Sequence, residues 1–446
     1  MDLRLTASRE DFASSVPQPS TTLDREGETL VRFDERVAAA LAWTHALIDL
    51  DELAGNVAAL LAHLPAGTGL MAVAKANAYG HGLVPCTRAA LDAGATHVAV
   101  ARVEEGLLLR ESGITVPILV LGPSNPLLIR HAVSNQIALA VGSLEGVRAV
   151  VASLADGLGP ARLHLKIDSG MHRYGVQPDA ALDLARAITR DSRLVLEGLF
   201  THFATADAAD DRFLREQVRR FSIVRQKLAD AGINPPLVHL ANSPATLRQV
   251  PHWPELRLAG EISLVRTGVA MYGLSPSDEV PVSNAFRPVM TLKTRLARVF
   301  SIAPGEGVSY GLTYIAPEHA RCATLPLGYG DGLARQLSNR GWAVVHGTRC
   351  PIRGRVSMDQ TVVEIGALDA AEGDEAIVIG DGQDGAMTAS QAAALYGTIN
   401  YEVVTAIPER VPRVYLRGGR PVAVLDLIGL AEPECSPVNS PANGIG

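Results

Sequence analysis

A single lysine, Lys75, stands at the end of an apolar run and lies within the most informative segment of the chain. The segment 72–82 continues with Tyr79, four residues after the lysine, and with two glycines that free the backbone. Burial removes water from a lysine ammonium, which lowers its pKa and makes the neutral amine a nucleophile. Such an amine forms Schiff bases with carbonyl compounds. Lys75 taken alone leaves a second interpretation open, in which its stem lies along a strand end and its charge reaches solvent.

Further polar and charged side chains stand at or just after later apolar runs. Taken singly, each has a structural explanation: His202 as a hydrogen-bonded core histidine, Arg266 as part of a buried ion pair. Their repeated position at the ends of apolar runs indicates a shared site instead. The polar and charged residues concerned are Lys166, Asp168, Arg173, His202, Asn242, Ser243 and Arg266, and Gly268 follows two residues after the arginine in the same run.

Eight apolar runs between residues 50 and 285 alternate with segments of helical periodicity. Continuous apolar strands separated by helices predict a parallel sheet, and eight units over about 230 residues fit a closed (β/α)8 barrel. An open doubly wound sheet is the alternative, although no glycine-rich phosphate loop follows the first strand. In a barrel the carboxyl ends of all strands meet at one rim, which would bring the polar residues together. The runs are Leu70–Lys75, His97–Ala101, Pro117–Leu121, Ile137–Val141, Arg162–Asp168, Leu194–His202, Leu237–Leu240 and Leu264–Tyr272.

Beyond residue 286 the chain changes to short β-branched runs separated by Gly, Pro and Asp. These runs predict a mostly antiparallel β domain, interrupted by one helix over Thr388–Tyr396 with Thr388 as its N-cap. An early run, Ala46–Asp51, predicts one more strand. The predicted β strands of this domain are Val289–Ser301, Arg321–Pro326, Trp342–His346, Cys350–Arg355, Thr361–Ile365 and Glu375–Gly380.

The predicted organisation has five parts. Residues 1–38 form a disordered extension without the apolar core of a secretory signal, and residues 39–50 form a strand that joins the C-terminal domain. The barrel occupies residues 51–285, the β domain 286–430, and a flexible tail 431–446.

Composition excludes several classes of function. The 446 residues carry a net charge of −7, and no basic patch stands out, so nucleic acid is not expected as a partner. No apolar run reaches the roughly 20 residues that span a bilayer. The four cysteines lack metal or redox spacing, which favours reduced thiols in a cytoplasmic protein.

The segment around Lys75 resembles the lysine motif of alanine racemases, enzymes of fold type III that depend on pyridoxal 5′-phosphate (PLP). Segments similar to this family extend from Ile48 to Arg413 and so cover nearly the whole chain outside its ends. The β domain contributes Val308-Ser-Tyr-Gly311, Pro326-Leu-Gly-Tyr-Gly-Asp-Gly332, Gly354-Arg-Val-Ser-Met-Asp-Gln360 and Ile399-Asn-Tyr-Glu402.

The resemblance implies a role for individual residues. Lys75 matches the lysine that holds PLP and acts as one base, and Tyr310 matches the opposing base, supplied by the second subunit of a head-to-tail homodimer. Lys166 matches a lysine that can become N6-carboxylysine and then holds Arg173; no metal is implied. Cofactor-binding positions are Lys75, Tyr79, His202, Asn242, Ser243, Arg266, Gly268, Val269 and Tyr401. Substrate-contacting positions are Arg173, Tyr310, Tyr329 and Met358.

The chemistry of these residues agrees with racemisation of alanine, which would supply D-alanine for peptidoglycan. Inverting a stereocentre requires a base on each face, and a lysine opposite a tyrosine meets that need. A guanidinium scarcely gives up its proton, so Arg266 would keep the PLP ring nitrogen unprotonated and suppress transamination. A departure from some relatives is Ser357, where they have cysteine.

Three other functions remain open from the sequence. A serine or broad-spectrum racemase would share this scaffold, and residues near Tyr310, Met358 and Tyr329 would set its substrate. A non-catalytic PLP-binding protein would be a lone barrel, and a decarboxylase would place a cysteine-containing motif where Tyr310 stands. The sequence leaves the role of the N-terminal extension open, and likewise the choice between a biosynthetic and a catabolic role.

Overall fold

Eight parallel strands close into a barrel. The structure, a computed structural model, describes residues 22–23, 29–30, 32–154, 158–253 and 263–433. The ring closes where the last strand pairs with the first, which confirms the predicted (β/α)8 architecture. The barrel strands are Gly69–Val73, His97–Val100, Ile118–Val120, Ile137–Val141, Ala161–Lys166, Leu194–Phe200, Leu237–His239 and Leu264–Thr267.

Helices cover the outside of the barrel with their apolar faces. The helix Ala181–Thr189, for example, buries Ala181, Leu184, Ala185 and Ile188, which recur at the spacing of one helical face. The other helices of this part are Leu50–Ala62, Leu83–Asp92, Val103–Glu111, Pro126–Ser134, Leu144–Ser153, Arg212–Asp230 and Ser243–Leu247, with a 3-10 turn at Val250–His252.

Several barrel strands end earlier than predicted. The eighth stops at Thr267, because the backbone turns at Gly268 and continues as a 3-10 helix over Val269–Tyr272. The fifth and sixth strands stop at Lys166 and Phe200. Several residues expected at the strand ends therefore lie in the loops of the rim, where side-chain directions do not follow the alternation of a strand.

The C-terminal domain is built on an eight-stranded sheet and a three-stranded sheet. His45–Asp49 lies inside the larger sheet, antiparallel to Met290–Arg295 and parallel to Arg413–Arg417. In spatial order the larger sheet is Thr348–Pro351, Trp342–Val345, Glu375–Ile379, Met290–Arg295, His45–Asp49, Arg413–Arg417, Arg420–Asp426 and Gly429–Ala431. The smaller sheet is Arg298–Ile302, Ala320–Leu325 and Thr361–Glu364, and Gly307–Val308 pairs with Tyr314–Ile315.

Short helices complete this domain. Ala389–Tyr396 begins after Thr388, whose hydroxyl accepts a hydrogen bond from the backbone of Gln391, as expected for an N-cap. The remaining helical segments are Asn400–Thr405, Tyr310–Leu312, Tyr329–Asp331, Arg335–Leu337 and Gln383–Gly385. The single strand predicted over Val289–Ser301 is two strands, broken at residues 296–297, and they belong to different sheets.

The N-terminal part differs from the prediction. A helix, Phe33–Ala42, occupies residues assigned to the extension and to the strand, because Val37 and Ala40 pack on the large sheet. The strand then ends at Asp49, whose side chain caps the next helix. Residues 1–21, 24–28 and 31 of the predicted extension and 434–446 of the predicted tail lie outside the described residues. Within the described ranges no helix is long and apolar enough to cross a bilayer.

The two domains interlock behind the lysine segment. Arg413 is buried and donates from Nε to the carbonyl oxygen of Gly80 at 3.1 Å. A side chain at Gly80 would overlap the Val404 carbonyl, and one at Gly82 would overlap the Tyr415 hydroxyl. Both glycines also have positive φ, which other residues adopt only with strain. The lysine segment is therefore fitted closely against the β domain.

Candidate active site

A cavity of about 930 Å³ opens at the carboxyl ends of the barrel strands. It brings together most of the residues that the sequence analysis identified. Those that line it are Lys75, Tyr79, Arg173, His202, Asn242, Ser243, Arg266, Gly268, Val269 and Tyr401. The barrel supplies all of these except Tyr401, which the helix Asn400–Thr405 of the β domain carries.

Lys75 begins an unusual turn. The strand ends at Val73, and residues 76–79 then adopt left-handed φ values of 53–54°. This conformation costs about 1–2 kcal/mol per non-glycine residue, so surrounding contacts must hold it. The backbone N–H of Ala76 donates to Glu105 Oε1 at 2.6 Å, and the Asn77 side chain accepts the first backbone N–H of the following helix. These contacts fix the base of the Lys75 side chain at the cavity wall.

The environment of Lys75 disfavours the charged form of its amine and lowers its pKa. Burial is the largest cause that lowers its pKa, and the cations Arg173 and Arg266 lower it further. The carboxylate of Glu105 acts in the opposite direction but does not cancel these effects. A buried amine of depressed pKa beside an open cavity is suited to nucleophilic attack on a carbonyl.

Arg266 lies in the centre of the rim and is held by donated hydrogen bonds. Its Nη1 donates to the His239 carbonyl at 2.8 Å, and its Nη2 donates to the carbonyls of Thr201 at 2.7 Å and Leu240 at 3.0 Å. Nη2 also lies 3.3 Å from Nδ1 of His202. Burial lowers the pKa of Arg266 to about 9, which leaves the guanidinium charged at neutral pH. Nη1 also lies 2.9 Å from His239 Nδ1, so these contacts account for both N–H groups of each Nη, and the remaining N–H is that of Nε; a guanidinium has no acceptor.

A group of hydroxyl and amide donors lies beside the lysine. The Gly268 N–H donates to the Ser243 hydroxyl at 2.9 Å, and a side chain at Gly268 would overlap the Tyr79 hydroxyl. The rings of Tyr79 and Tyr401 lie 6.1 Å apart, and burial raises the pKa of both phenols, which keeps them protonated. Val269 starts the 3-10 helix, so its N–H lacks a partner within that helix. Neutral donors of this kind suit a phosphate.

The loop after the fifth strand carries Arg173 to the cavity. Asp168 anchors this loop by accepting hydrogen bonds from the backbone of Gly170 and His172. Lys166 lies at the strand end, outside the cavity lining, with Nζ 5.1 Å from the centre of the Tyr174 ring. Burial and the charges of Arg266 and Arg173 lower the pKa of Lys166 to about 8.

Tyr310 and Met358 do not line the cavity of their own chain. The Tyr310 side chain is 71% exposed and Met358 is 53% exposed. Tyr329 borders a neighbouring space of about 590 Å³ that shares Thr398 and Glu402 with the main cavity. The loops of Tyr329 and Met358 are joined by backbone hydrogen bonds, including Gly330 N–H to the Met358 carbonyl at 2.8 Å. The three residues therefore lie on the exposed side of the β domain.

Two buried histidines, His164 and His239, were missed by the sequence analysis. Both lie in runs interpreted as apolar strands, yet His239 contacts Arg266 directly. Alternation gave a usable signal for His164, because it shares a strand face with Lys166, two residues later. Among the described residues, no group of three or more His, Cys, Asp or Glu is placed to hold a metal ion.

Family models match both domains of the chain. The alanine racemase N-terminal domain matches residues 48–276, and the alanine racemase C-terminal domain matches residues 289–415. Curated relatives include the alanine racemases of Desulfovibrio desulfuricans, 41% identical over 87% of this chain and 100% of that protein, and of Thermobifida fusca, 42% identical over 84% of this chain and 98% of that protein.

Solved structures agree with these matches. An alanine racemase from Bacillus anthracis with bound L-Ala-P is 37% identical, with a TM-score of 0.80 over 90% of this chain and 99% of that one. The alanine racemase of Streptomyces coelicolor is 40% identical, with a TM-score of 0.78 over 85% of this chain and 100% of that one. On the domain order, the barrel site and these similarities together, the chain belongs to the alanine racemase family.

Proposed function

We propose that this protein is an alanine racemase that interconverts L- and D-alanine with PLP as its cofactor. The observation that carries the proposal is the position of Lys75: a depressed-pKa amine, beside Arg266 and the hydroxyl donors of one cavity. We further propose that the enzyme acts in the cytoplasm and supplies D-alanine for peptidoglycan.

The cavity residues are chemically suited to PLP. The donor group of Tyr79, Ser243, Gly268, Val269 and Tyr401 offers hydroxyls and amides to a phosphate, and the space beside Gly268 admits no side chain. We assign these residues to the phosphate, and Lys75 to the covalent attachment of the aldehyde. Asn242 and His202, which line the same cavity, complete the proposed cofactor site.

The proposed reaction uses one base on each face of the substrate. When bound, PLP draws electrons from the substrate Cα and so makes its proton acidic. Lys75 takes or returns this proton at Nζ, and the Tyr310 hydroxyl does so on the opposite face. Arg266 retains its own proton, because a guanidinium is a poor acid; the ring nitrogen of bound PLP would then stay unprotonated, which would limit protonation at the wrong carbon and so transamination. Arg173, Met358 and Tyr329 are assigned to contacts with the substrate and its path to the site.

We infer that a second copy of the chain supplies Tyr310, Tyr329 and Met358. These three large side chains are exposed in the single chain, and Leu312 and Ile315 lie exposed in the same region of the β domain. Apolar surface of this kind indicates an interface. A symmetric head-to-tail dimer would make two equivalent sites, each with the lysine of one chain and the tyrosine of the other.

We infer that Lys166 carries a carbamate. Its ammonium would face the cations Arg266, Arg173 and Lys75, and its lowered pKa of about 8 provides neutral amine near physiological pH. The neutral nitrogen adds to carbon dioxide, forming one N–C bond and losing one proton to water. The resulting anion would pair with Arg173 and hold it at the cavity.

The domain limits are likewise proposals: barrel 51–285 and β domain 286–430, with residues 39–50 joining the latter. The helix Phe33–Ala42 crosses the proposed boundary between the extension 1–38 and residues 39–50. We also propose a flexible tail over residues 431–446, of which 434–446 lie outside the described residues.

Turnover measurements with the PLP-loaded protein test the function directly. L-Alanine, L-serine and L-lysine are supplied separately, and the D-enantiomer is measured by chiral chromatography. We expect kcat/KM to be highest for alanine. Faster conversion of serine would refute the substrate assignment, and absence of racemisation with all three would refute the function.

Covalent labelling tests the lysine independently of turnover. Borohydride reduction of the holoenzyme, followed by peptide mapping, should place the pyridoxyl group on Lys75. The Lys75→Ala variant is the matched control and should lose the yellow colour of the wild type. A label on another lysine in the wild type would contradict the assignment.

A further inference from the structure

A chain of hydrogen bonds leads from Arg266 through the core of the barrel, away from the cavity. Arg266 Nη1 lies 2.9 Å from His239 Nδ1, and His239 Nε2 lies 2.8 Å from His164 Nδ1. His164 Nε2 lies 3.4 Å from Glu197 Oε2, and Arg162 Nη1 lies 2.6 Å from Glu197 Oε1. Arg162 is largely exposed at the start of its strand, so the chain connects the site with the opposite side of the barrel.

The packing of the barrel core accommodates this series of hydrogen bonds. A side chain at Gly198, in the sixth strand, would overlap the His164 imidazole, so the glycine leaves the space that this imidazole occupies. The His239 ring stacks on Phe200, with centroids 4.7 Å apart and planes at 15°. His164 and His239 are both buried, and neither these two residues nor Glu197 lines the cavity. Their direct hydrogen bond to a residue that lines the cavity is the one between His239 and Arg266.

The residues at the two ends of this series, Arg266 and Glu197, determine the direction of every hydrogen bond between them. A guanidinium is a donor only, and an ionised carboxylate is an acceptor only. His239 Nδ1 must therefore accept from Arg266, so its Nε2 carries the proton and donates to His164 Nδ1. His164 in turn carries its proton on Nε2 and donates to Glu197. One arrangement satisfies all four residues, with both imidazoles neutral.

Electrostatics supports the neutral form of both rings. Burial lowers the pKa of His239 well below its ordinary value, and Arg266 lowers it further. Burial also lowers the pKa of His164, although the hydrogen bond to Glu197 opposes this. Hydrogen bonds from His164 and Arg162 help to lower the pKa of Glu197, which keeps the acceptor ionised.

We propose that Glu197 is a positioning residue that orients Arg266 through His164 and His239. The inference rests on the proposed function for its effect on the reaction, but not for the hydrogen-bond directions. With Nη1 held by His239, the guanidinium keeps one orientation at the cavity wall. The carboxylate at the far end also gives the buried cation a partner of opposite charge, linked through two polarisable rings.

The variant Glu197→Gln tests the proposal because one amide cannot replace both carboxylate oxygens. If the amide oxygen stays with Arg162, its NH₂ faces His164 Nε2 and requires a bare nitrogen there. A neutral His164 must then carry its proton on Nδ1, where it faces the Nε2–H of His239, so that two donors meet without an acceptor. Arg162→Met is the matched control, since it removes the exposed neighbour of Glu197 and leaves the acceptor to His164.

Nitrogen-15 solid-state NMR of the histidine-labelled, full-length holoenzyme reads the tautomers, with His164→Gln and His239→Gln for assignment. In the wild type and in Arg162→Met, we expect bare Nδ1 and protonated Nε2 on both residues. Glu197→Gln should shift at least one ring to another tautomer. It should lower kcat by about threefold to tenfold, the worth of one hydrogen bond, with little change in KM.

Two results would overturn the proposal. One is a protonated Nδ1 on either ring of the wild type, which can be measured even if the variant fails to fold. The other is an unchanged tautomer pattern and unchanged kcat in Glu197→Gln. The expected tautomers in a protein that does not racemise alanine would contradict the proposed function and support the arrangement around Arg266.

Discussion

The division of the site between two chains predicts a specific recovery of activity from two inactive proteins. Lys75 lines the cavity of its own barrel, whereas Tyr310 is exposed on the β domain and absent from that lining. If each site takes its lysine from one chain and its tyrosine from the other, Lys75→Ala and Tyr310→Phe affect different halves of it. In a mixed dimer one site then receives both defects and the other receives none.

The size of the recovery follows from symmetry. Random exchange of subunits makes about half of the dimers mixed, and one of the two sites in each is intact, so about one quarter of all sites are restored. The assay exchanges the two purified variants, verifies mixed dimers by native mass spectrometry of differently tagged chains, and measures D-alanine formation. We expect about 25% of wild-type activity per total site, against the residual activity of each parent.

A matched pair of barrel variants provides the control. Lys75→Ala and Arg266→Glu both alter the cavity of their own chain, so every site of their mixed dimer carries one defect. This mixture should stay at the parental level. If Lys75→Ala with Tyr310→Phe also stays there after verified exchange, the two residues belong to one chain's site, and the assignment of Tyr310 to the partner is refuted.

Three further predictions concern single residues. Arg266→Glu should raise transamination relative to racemisation, because a carboxylate can keep the ring nitrogen protonated; an unchanged product ratio would exclude this role. Ala76→Val should lower the free energy of unfolding by about 1–2 kcal/mol in urea denaturation, since a β-branched residue fits the left-handed conformation poorly, whereas Ala76→Gly should change it little. With ¹³C-bicarbonate, NMR should show a carbamate signal that increases between pH 7 and 9, as the amine of pKa about 8 loses its proton, and that Lys166→Met lacks. A signal independent of pH or persisting in the variant would place the carbamate elsewhere.

Apolar periodicity carried most of the information about the barrel. Runs such as Ile137–Val141 are buried from end to end, as expected for a strand that is covered on both faces of its sheet. The strand ends were harder to predict. Gly268 stops the eighth strand by a backbone turn beside Tyr79, and that contact joins residues almost two hundred positions apart. Local sequence does not contain such a contact.

The left-handed turn after Lys75 could not be predicted for a related reason. Alanine and tyrosine ordinarily avoid positive φ, so local preference argues against the conformation at residues 76–79. Contacts from Glu105 and the following helix hold the turn. The buried histidines were missed for a different reason: in His239 a polar ring fills a core position in a run that otherwise looks apolar.

The interlock behind the lysine segment constrains how the two domains can be exchanged in evolution or in design. Arg413 reaches into the barrel segment at Gly80, and Tyr415 occupies the space that Gly82 leaves. A chimera that joins this barrel to the β domain of a relative would combine the two sides of this contact from different parents. Crossover points should therefore keep residues 80–82 and 404–415 from one parent, since the barrel and the β domain are inherited as a single unit there.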